Sequence, residues 1–232
     1  MIWRNIKRLS LDISEVLFPV CCLVCGIRQG CQHYLCELCL DQAFEPAGLE
    51  EKESMEGVVL PDWLSMQYIL WKYDKGGYLQ ESMHQLKYGG LTGLGYLLGQ
   101  RLGYGLIKNQ VFSITQKTVL LPVPLHPSRK RRRGYNQARC IAEGVASVLP
   151  VKIIEERAVV RMRNTKTQTG FNAEKRKKNM EGVFRVIDSC AVQDKDVIII
   201  DDVITTGATS MELAGILRKT AGNIGVAAIA RA

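Results

Sequence analysis

The 232 residues are 47% hydrophobic, 23% charged and 7% aromatic, an ordinary globular composition that excludes wholesale disorder and collagen-like repeats. The formal charge of +8 is unevenly spread: His126 to Arg185 carry 16 Lys and Arg against 5 Asp and Glu, a net +11, and the remainder nets −3. A concentration of this kind points to an anionic partner, whether small-molecule phosphates, a nucleic acid or an anionic membrane surface.

In chain order, Ile2, Ile6, Leu9, Ile13, Val16 and Leu17 recur at helical spacing and predict an N-terminal amphipathic helix over residues 1–20. Packing against the rest of the chain is preferred to a membrane-surface role. Asp12 and Glu15 interrupt the apolar stretch that a signal peptide requires. The most apolar run, Val197–Ile200, is far shorter than the roughly 20 residues of a membrane-crossing helix. No integral membrane segment is expected, and the location expected is cytoplasmic, with a peripheral position at the inner face of the membrane left open. In that compartment the eight cysteines are not expected to form a disulfide framework.

Residues 21–45 hold two C-x-x-C pairs, Cys22-Leu-Val-Cys25 and Cys36-Glu-Leu-Cys39, with ten residues between them. Each pair can place two thiolates on one side of a tight turn, and two such knuckles complete the tetrahedral all-sulfur site that zinc prefers. A segment this small buries little apolar surface, so the metal would supply its folding free energy, and four thiolates leave no open catalytic position. A redox dithiol, core cysteines or an iron–sulfur cluster are the alternatives. Cys21 could exchange with Cys22 as ligand, and His33 is a less needed substitute.

Residues 46–76 read as a linker and strand region, the acidic stretch from Glu45 to Pro61 being punctuated by Gly and Pro. From residue 77 to 232 the pattern is that of one α/β domain. Helices are predicted over 77–88 and 94–108, separated by Gly89-Gly90, and over 135–149 and 209–219, the last with Gly222 just beyond its end. Strands are predicted over 118–123, 151–154, 183–187, 197–200 and 224–229. Alternation of strands and helices argues for βαβ units and a mostly parallel sheet with flanking helices. Gly93-Leu-Gly95 lacks the third glycine and the preceding strand of a dinucleotide fingerprint, and there is no Walker A motif.

The sharpest motif is Val197-Ile-Ile-Ile-Asp-Asp-Val-Ile-Thr-Thr-Gly-Ala-Thr209: an apolar strand, two acids, a small-residue turn and a helix start. The carboxyl end of a parallel strand is where α/β sheets bind ligands. Thr206-Gly207-Ala208-Thr209 would aim N–H groups and hydroxyls at an anion at a helix N-terminus. Asp201 and Asp202 suit the hydroxyls of a vicinal diol, so the pair of features describes a ribose 5-phosphate. The plain alternative is a strand ended by an Asp-Asp turn with Thr209 as a helix cap.

Ile200-Asp-Asp-Val-Ile-Thr-Thr-Gly-Ala-Thr209 closely resembles the 5-phosphoribosyl-1-pyrophosphate (PRPP) signature of type I phosphoribosyltransferases. Pro122-Val-Pro-Leu-His126 followed by Arg133-Gly-Tyr-Asn-Gln137, and Arg163-Asn-Thr-Lys-Thr-Gln168 preceding Arg176-Lys-Lys-Asn179 and Gly182-Val-Phe184, narrow the likeness. With the four-cysteine knuckle, the chain resembles the ComF family from about Cys21 onward. The resemblance implies a type I phosphoribosyltransferase-like α/β fold. It implies ribose hydroxyls on Asp201 and Asp202, the 5-phosphate on Thr205, Thr206, Gly207, Ala208 and Thr209, and a pyrophosphate loop over Pro124–Arg129 that includes His126 and Arg129. Magnesium would accompany the pyrophosphate. Thr205 stands where hypoxanthine-type transferases carry an acid, and no separate hood for a base is evident.

The basic run Arg129-Lys-Arg-Arg-Arg133 exceeds what one pyrophosphate requires. Lys130, Arg131, Arg132, Arg133, Arg163, Lys175, Arg176, Lys177 and Lys178 are therefore also candidates for nucleic-acid backbone contact, the alternative being a solvated basic face. Tyr135 and Phe171 could stack on bases, whereas Phe184 reads as core. Residues 168–179 suggest a loop and short helix over the site. His126 is a pyrophosphate contact or a turn residue, and His84 reads as structural. The family likeness implies a role in natural competence: handling of incoming single-stranded DNA, with PRPP or a related phosphoribosyl ligand bound and competence-machinery proteins as partners. The alternative is a PRPP-dependent transferase of nucleotide metabolism with an unknown acceptor.

Overall fold

Four β-branched residues in a row, Val197–Ile200, form the middle of the central strand in the computed structural model, which describes residues 19–29, 34–49, 60–110, 112–164 and 182–232. The predicted N-terminal helix lies outside the described residues but for its last two positions. So do Cys31, His33, Phe171, Lys175, Arg176, Lys177, Lys178 and the predicted loop and helix over 168–179.

The central strand β7 (Asp196–Ile204) is flanked in parallel by β3 (Thr118–Pro122) and β8 (Ile224–Arg231). Next to β8 runs β2 (Met66–Lys72), also parallel, and β1 (Pro46–Leu49) closes that side antiparallel to β2. On the other side β4 (Lys152–Ile153) pairs in parallel with β3. The order β1-β2-β8-β7-β3-β4 gives the mostly parallel sheet expected, and it draws two of its strands from residues 46–72. The predicted strand over 183–187 is β6 (Phe184–Val186), but it pairs antiparallel with β5 (Val159–Arg161) in a separate two-stranded sheet.

Period-two alternation sends Ile198 and Ile200 to one core and Val197 and Ile199 to the other, as a strand buried on both faces requires. The first core collects α2 (Tyr78–Tyr88), α3 (Thr92–Lys108) and α5 (Gln137–Val148) through Leu79, Met83, Leu86, Leu98, Leu102, Ile141 and Val145. The cysteine segment with its short helix α1 (Glu37–Gln42) joins this core through Cys22, Leu35, Cys39 and Leu40, and Phe44 stacks on Trp71 with ring centroids 4.8 Å apart. The second core lies under α6 (Ala208–Leu217) and the β5–β6 pair, with Leu213, Leu217, Val159 and Phe184 buried.

Helices α3 and α5 meet backbone to backbone. A Cβ on Gly99 would stand 2.0 Å from the Ile141 carbonyl oxygen, and one on Gly144 would stand 2.0 Å from that of Tyr96. Gly95, Gly99 and Gly103, four residues apart, thus form a packing stripe.

One helix departs from expectation. Within Pro124–Arg129, expected as a loop, α4 (Pro127–Arg133) begins: the His126 ring accepts from the Ser128 N–H at 3.3 Å, Pro127 supplies the first-turn position, and Gly134, at φ 82°, ends it. Arg129 therefore sits on a helix and His126 caps it.

Candidate functional site

The sulfur cluster is built by two tight turns. Cys22 accepts a backbone hydrogen bond from Gly26, whose φ of 70° is in the left-handed region that favours glycine, and Cys36 caps α1 by accepting from the Cys39 N–H at 3.4 Å. Cys36 N–H in turn donates to the Cys22 sulfur at 3.4 Å. The sulfurs of Cys22, Cys25, Cys36 and Cys39 all lie within 4.8 Å of one another, and those of Cys25 and Cys36 are 3.8 Å apart. A tetrahedral zinc with sulfurs at about 2.3 Å spaces them by about 3.8 Å, so the donor set and its spacing are compatible with zinc. Burial raises the Cys22 thiol, but N–H donors from Cys25, Cys36 and Val24 outweigh it and bring the thiol to about 6. Burial and the neighbouring thiols push Cys39 upward. Cys21 is exposed and turns to the Pro19 carbonyl, so the cluster uses Cys22.

The second site lies at the carboxyl end of β7. From β3 the chain proceeds through α5 to β4 on one side, and from β7 through α6 to β8 on the other, so β3 and β7 part at a topological switch point. Thr205 and Thr206 form the turn, and Gly207, at φ 71°, opens α6 in a conformation that L side chains rarely adopt. Asp201 accepts from the Asp202 N–H at 2.9 Å and from Ser210 Oγ at 3.3 Å. Asp202 accepts from the Val203 N–H at 2.8 Å, and its other oxygen pairs with Lys87 Nζ at 3.0 Å.

The charges around this pair are strongly coupled. Burial and the Asp202 charge push Asp201 up to about 7. Burial also raises Asp202, but Lys87 outweighs it and leaves that carboxyl below its ordinary value. Lys87 is correspondingly held above the usual lysine value, its burial outweighed by Asp202 and Asp201. Arg129 is lowered by burial and by Arg133 and Arg132. Arg161, buried with its guanidinium 5.4 Å from the Phe184 ring, is brought down to about 10 by burial and Arg129, against the pull of Asp201. Arg133 lies 5.3 Å over the Tyr88 ring, which also meets His84 at 4.9 Å.

Of the residues singled out by sequence, Asp201, Asp202 and Thr205–Thr209 form one loop, and Arg129 and Arg133, one turn apart on α4, are half-buried while Lys130, Arg131 and Arg132 point to solvent. Arg163 is exposed beyond β5. Tyr135 is half-buried, its hydroxyl bonded to the Leu86 carbonyl, and Phe184 is in the second core, so neither is free to stack on a base. His84 is exposed on α2. Lys87 and Ser210 are the residues of the site that sequence reasoning passed over, while Arg161 belongs to the basic segment that it read as a funnel for pyrophosphate. Ser210 is signalled by its place one turn into the helix after Gly207; Lys87 has no local signal.

Fold and site together define the class: an α/β domain with a mostly parallel sheet and flanking helices, bearing an N-terminal four-cysteine cluster. No family model matches the chain. It is 36% identical over 101 residues to Competence protein F of Haemophilus influenzae, covering 43% of this chain and 44% of that protein. It is 28% identical over 199 residues to DNA utilization protein YhgH of Escherichia coli, covering 85% and 78% of the two chains. These homologues bear out the resemblance to the ComF family, although the match to Competence protein F spans less than half of either protein. Among solved structures, the allosteric regulatory enzyme of purine biosynthesis aligns at TM-score 0.39 and 19% identity, over 60% of this chain and 26% of that one. No helix among the described residues is long and apolar enough to cross a membrane.

Proposed function

We propose that the protein binds PRPP with magnesium at the β7–α6 loop and handles single-stranded DNA in competence and DNA uptake, on the cytoplasmic side of the membrane. The observation that carries the reading is the convergence of a carboxylate pair with Lys87, Arg129, Arg133 and Arg161 at the switch point where α6 begins. Asp201 and Asp202 would accept from the ribose hydroxyls. The N–H groups and hydroxyls of Thr205, Thr206, Gly207, Ala208 and Thr209 would receive the 5-phosphate. Arg129 and Arg133 would face the pyrophosphate, with His126 fixing the helix that carries them. Magnesium, when bound with the pyrophosphate, would supply neutralisation of its charge. Zinc on Cys22, Cys25, Cys36 and Cys39 is structural in this reading. The names of the relatives support the DNA role, and the exposed Arg131 and Arg132, which no pyrophosphate needs, support a nucleic-acid backbone contact to which Lys130, paired with Glu156, would add less. Competence-machinery proteins would be the partners.

The test is calorimetric titration of PRPP and magnesium into the full chain, wild type and Asp201→Asn/Asp202→Asn. Heat of binding in the wild type that vanishes in the double variant is expected; no binding by the wild type would overturn the PRPP reading. Pyrophosphate release in the same mixtures, with nucleobases added, decides the transferase alternative: release above the double variant would establish turnover.

A further inference from the structure

Between α4 and the β4–β5 segment lies a cleft of about 590 Å³ that adjoins the proposed PRPP site through Pro124, Leu125, Pro127 and Arg161, but to which Asp201, Asp202 and residues 205–209 do not contribute. Its accessible apolar lining is made by the half-buried Leu125 and Val160 and the exposed Pro127, backed by the buried Leu121, Ile154 and Val159. Its rim is cationic: Arg131 and Arg157 are exposed and have no acidic partner among the described residues. Glu156 is the one acid among its described lining residues, and Lys130 neutralises it. An apolar lining under unneutralised guanidinium groups suits a flat, uncharged ring joined to an anion, and the volume is in the range of small-molecule sites. The outer face of α4 continues the cationic rim through Arg132, so a polyanion lying along this helix would pass over the mouth of the cleft.

We propose that this cleft receives one nucleotide of a single DNA strand, its base against Leu125, Pro127 and Val160 and its flanking phosphates on Arg131 and Arg157. The proposal rests on the DNA-handling reading and gives it a location beside the ribose-phosphate loop at residues 201–209. Base insertion would provide the grip, as stacking platforms do in single-strand binders, and the α4 cations the sequence-independent attraction.

The experiment uses the full chain and an oligothymidylate with one central 2-aminopurine, followed by anisotropy for affinity and by aminopurine emission for the surroundings of the base. Two variants are compared with the wild type. Val160→Trp fills the cleft from a half-buried position on β5, and Arg157→Glu changes an exposed rim residue with little risk to folding. Wild-type binding with a change in emission is expected. Val160→Trp should abolish that change and weaken binding about five- to tenfold. Arg157→Glu should weaken binding at least about threefold and reduce the log–log salt slope by about one. Strand binding with no emission change, or with affinity and emission unaltered in Arg157→Glu, overturns the cleft while leaving DNA handling intact. Absence of strand binding by the wild type overturns the DNA reading itself, and this proposal with it.

Discussion

Replacing Lys87 by Met removes the ammonium that faces Asp202 while keeping most of the side-chain volume. At 3.0 Å and an effective dielectric of about 20, the gross attraction is about 5.5 kcal/mol. The side chains are 25% and 15% exposed, so solvent screens part of this and desolvation offsets more. Truncating one partner of a fully buried pair costs about 3–5 kcal/mol and of an exposed pair about 0–1, which places Lys87→Met at about 2–3 kcal/mol. The loss must depend on pH. In the wild type, Lys87 holds Asp202 below its ordinary value, so the contribution is present above pH 3.8 and is lost as pH falls through the lower folded value. In the variant, burial is opposed only by the Val203 N–H and Arg133, and Asp202 is expected to rise above 3.8. Below that raised value the variant takes up a proton that the native wild type does not, and recovers about 1.4 kcal/mol per pH unit. Urea unfolding at pH 8 and pH 5, repeated in an Asp202→Asn background, reads this directly. The variant should lose most stability at pH 8, less at pH 5, and little when Asp202 is already neutral. An equal loss at both pH values, unchanged by Asp202→Asn, would refute the argument and assign Lys87 to packing by its aliphatic stem.

Asp201 should act in the opposite sense: because its folded value is raised to about 7, stability falls as pH climbs from about 4 to about 7, by about 2–4 kcal/mol relative to Asp201→Asn, and parallel unfolding profiles for the two proteins would contradict this. Gly99→Ala puts a methyl 2.0 Å from the Ile141 carbonyl oxygen and should cost about 3 kcal/mol or more by forcing α3 from α5, whereas Gly215→Ala, with no atom within 4 Å, should be neutral or stabilise by up to about 1 kcal/mol; chemical denaturation distinguishes them. Metal analysis should give one zinc per chain, and Cys36→Ser should lose it and also lower the melting temperature, because Cys22 and Cys39 pack into the first core with Leu98 and Ile141; iron, or no metal, would overturn the zinc reading.

The β7–α6 motif was legible because each local signal agrees with its neighbours: four β-branched residues, two acids, a glycine that needs a positive φ and a helix-forming run. The cysteine spacing was legible for the same reason, since two short turns fix four sulfurs with little help from elsewhere. The helix α4 was harder. Five consecutive cations argue against a helix by repulsion, yet His126-Pro127 at one end and Gly134 at the other are helix start and stop residues, and capping prevailed. Val183–Ile187 reads as a strand from composition, but pairing is not a local property: Phe184 opposite Arg161 and Val186 opposite Val159 set it apart from the main sheet. Lys87 was invisible because nothing near it in sequence is acidic enough to mark it; its meaning comes entirely from α2 ending beside β7.

The position of β8 has a consequence for assembly. This strand lies between β7 and β2, and the register joins Met66 to Gly225 and Lys72 to Arg231. The sheet therefore cannot be completed in the order of synthesis. Until β8 has left the ribosome, β2 and its antiparallel partner have no edge to join, and the apolar faces that receive Phe44, Trp71 and the cysteine segment stay open. Contacts this distant along the chain slow folding, and the waiting strands are exposed to aggregation. The N-terminal third is thus kinetically dependent on the last strand, and a nascent chain stalled before residue 224 would be a substrate for chaperones rather than a partly working protein.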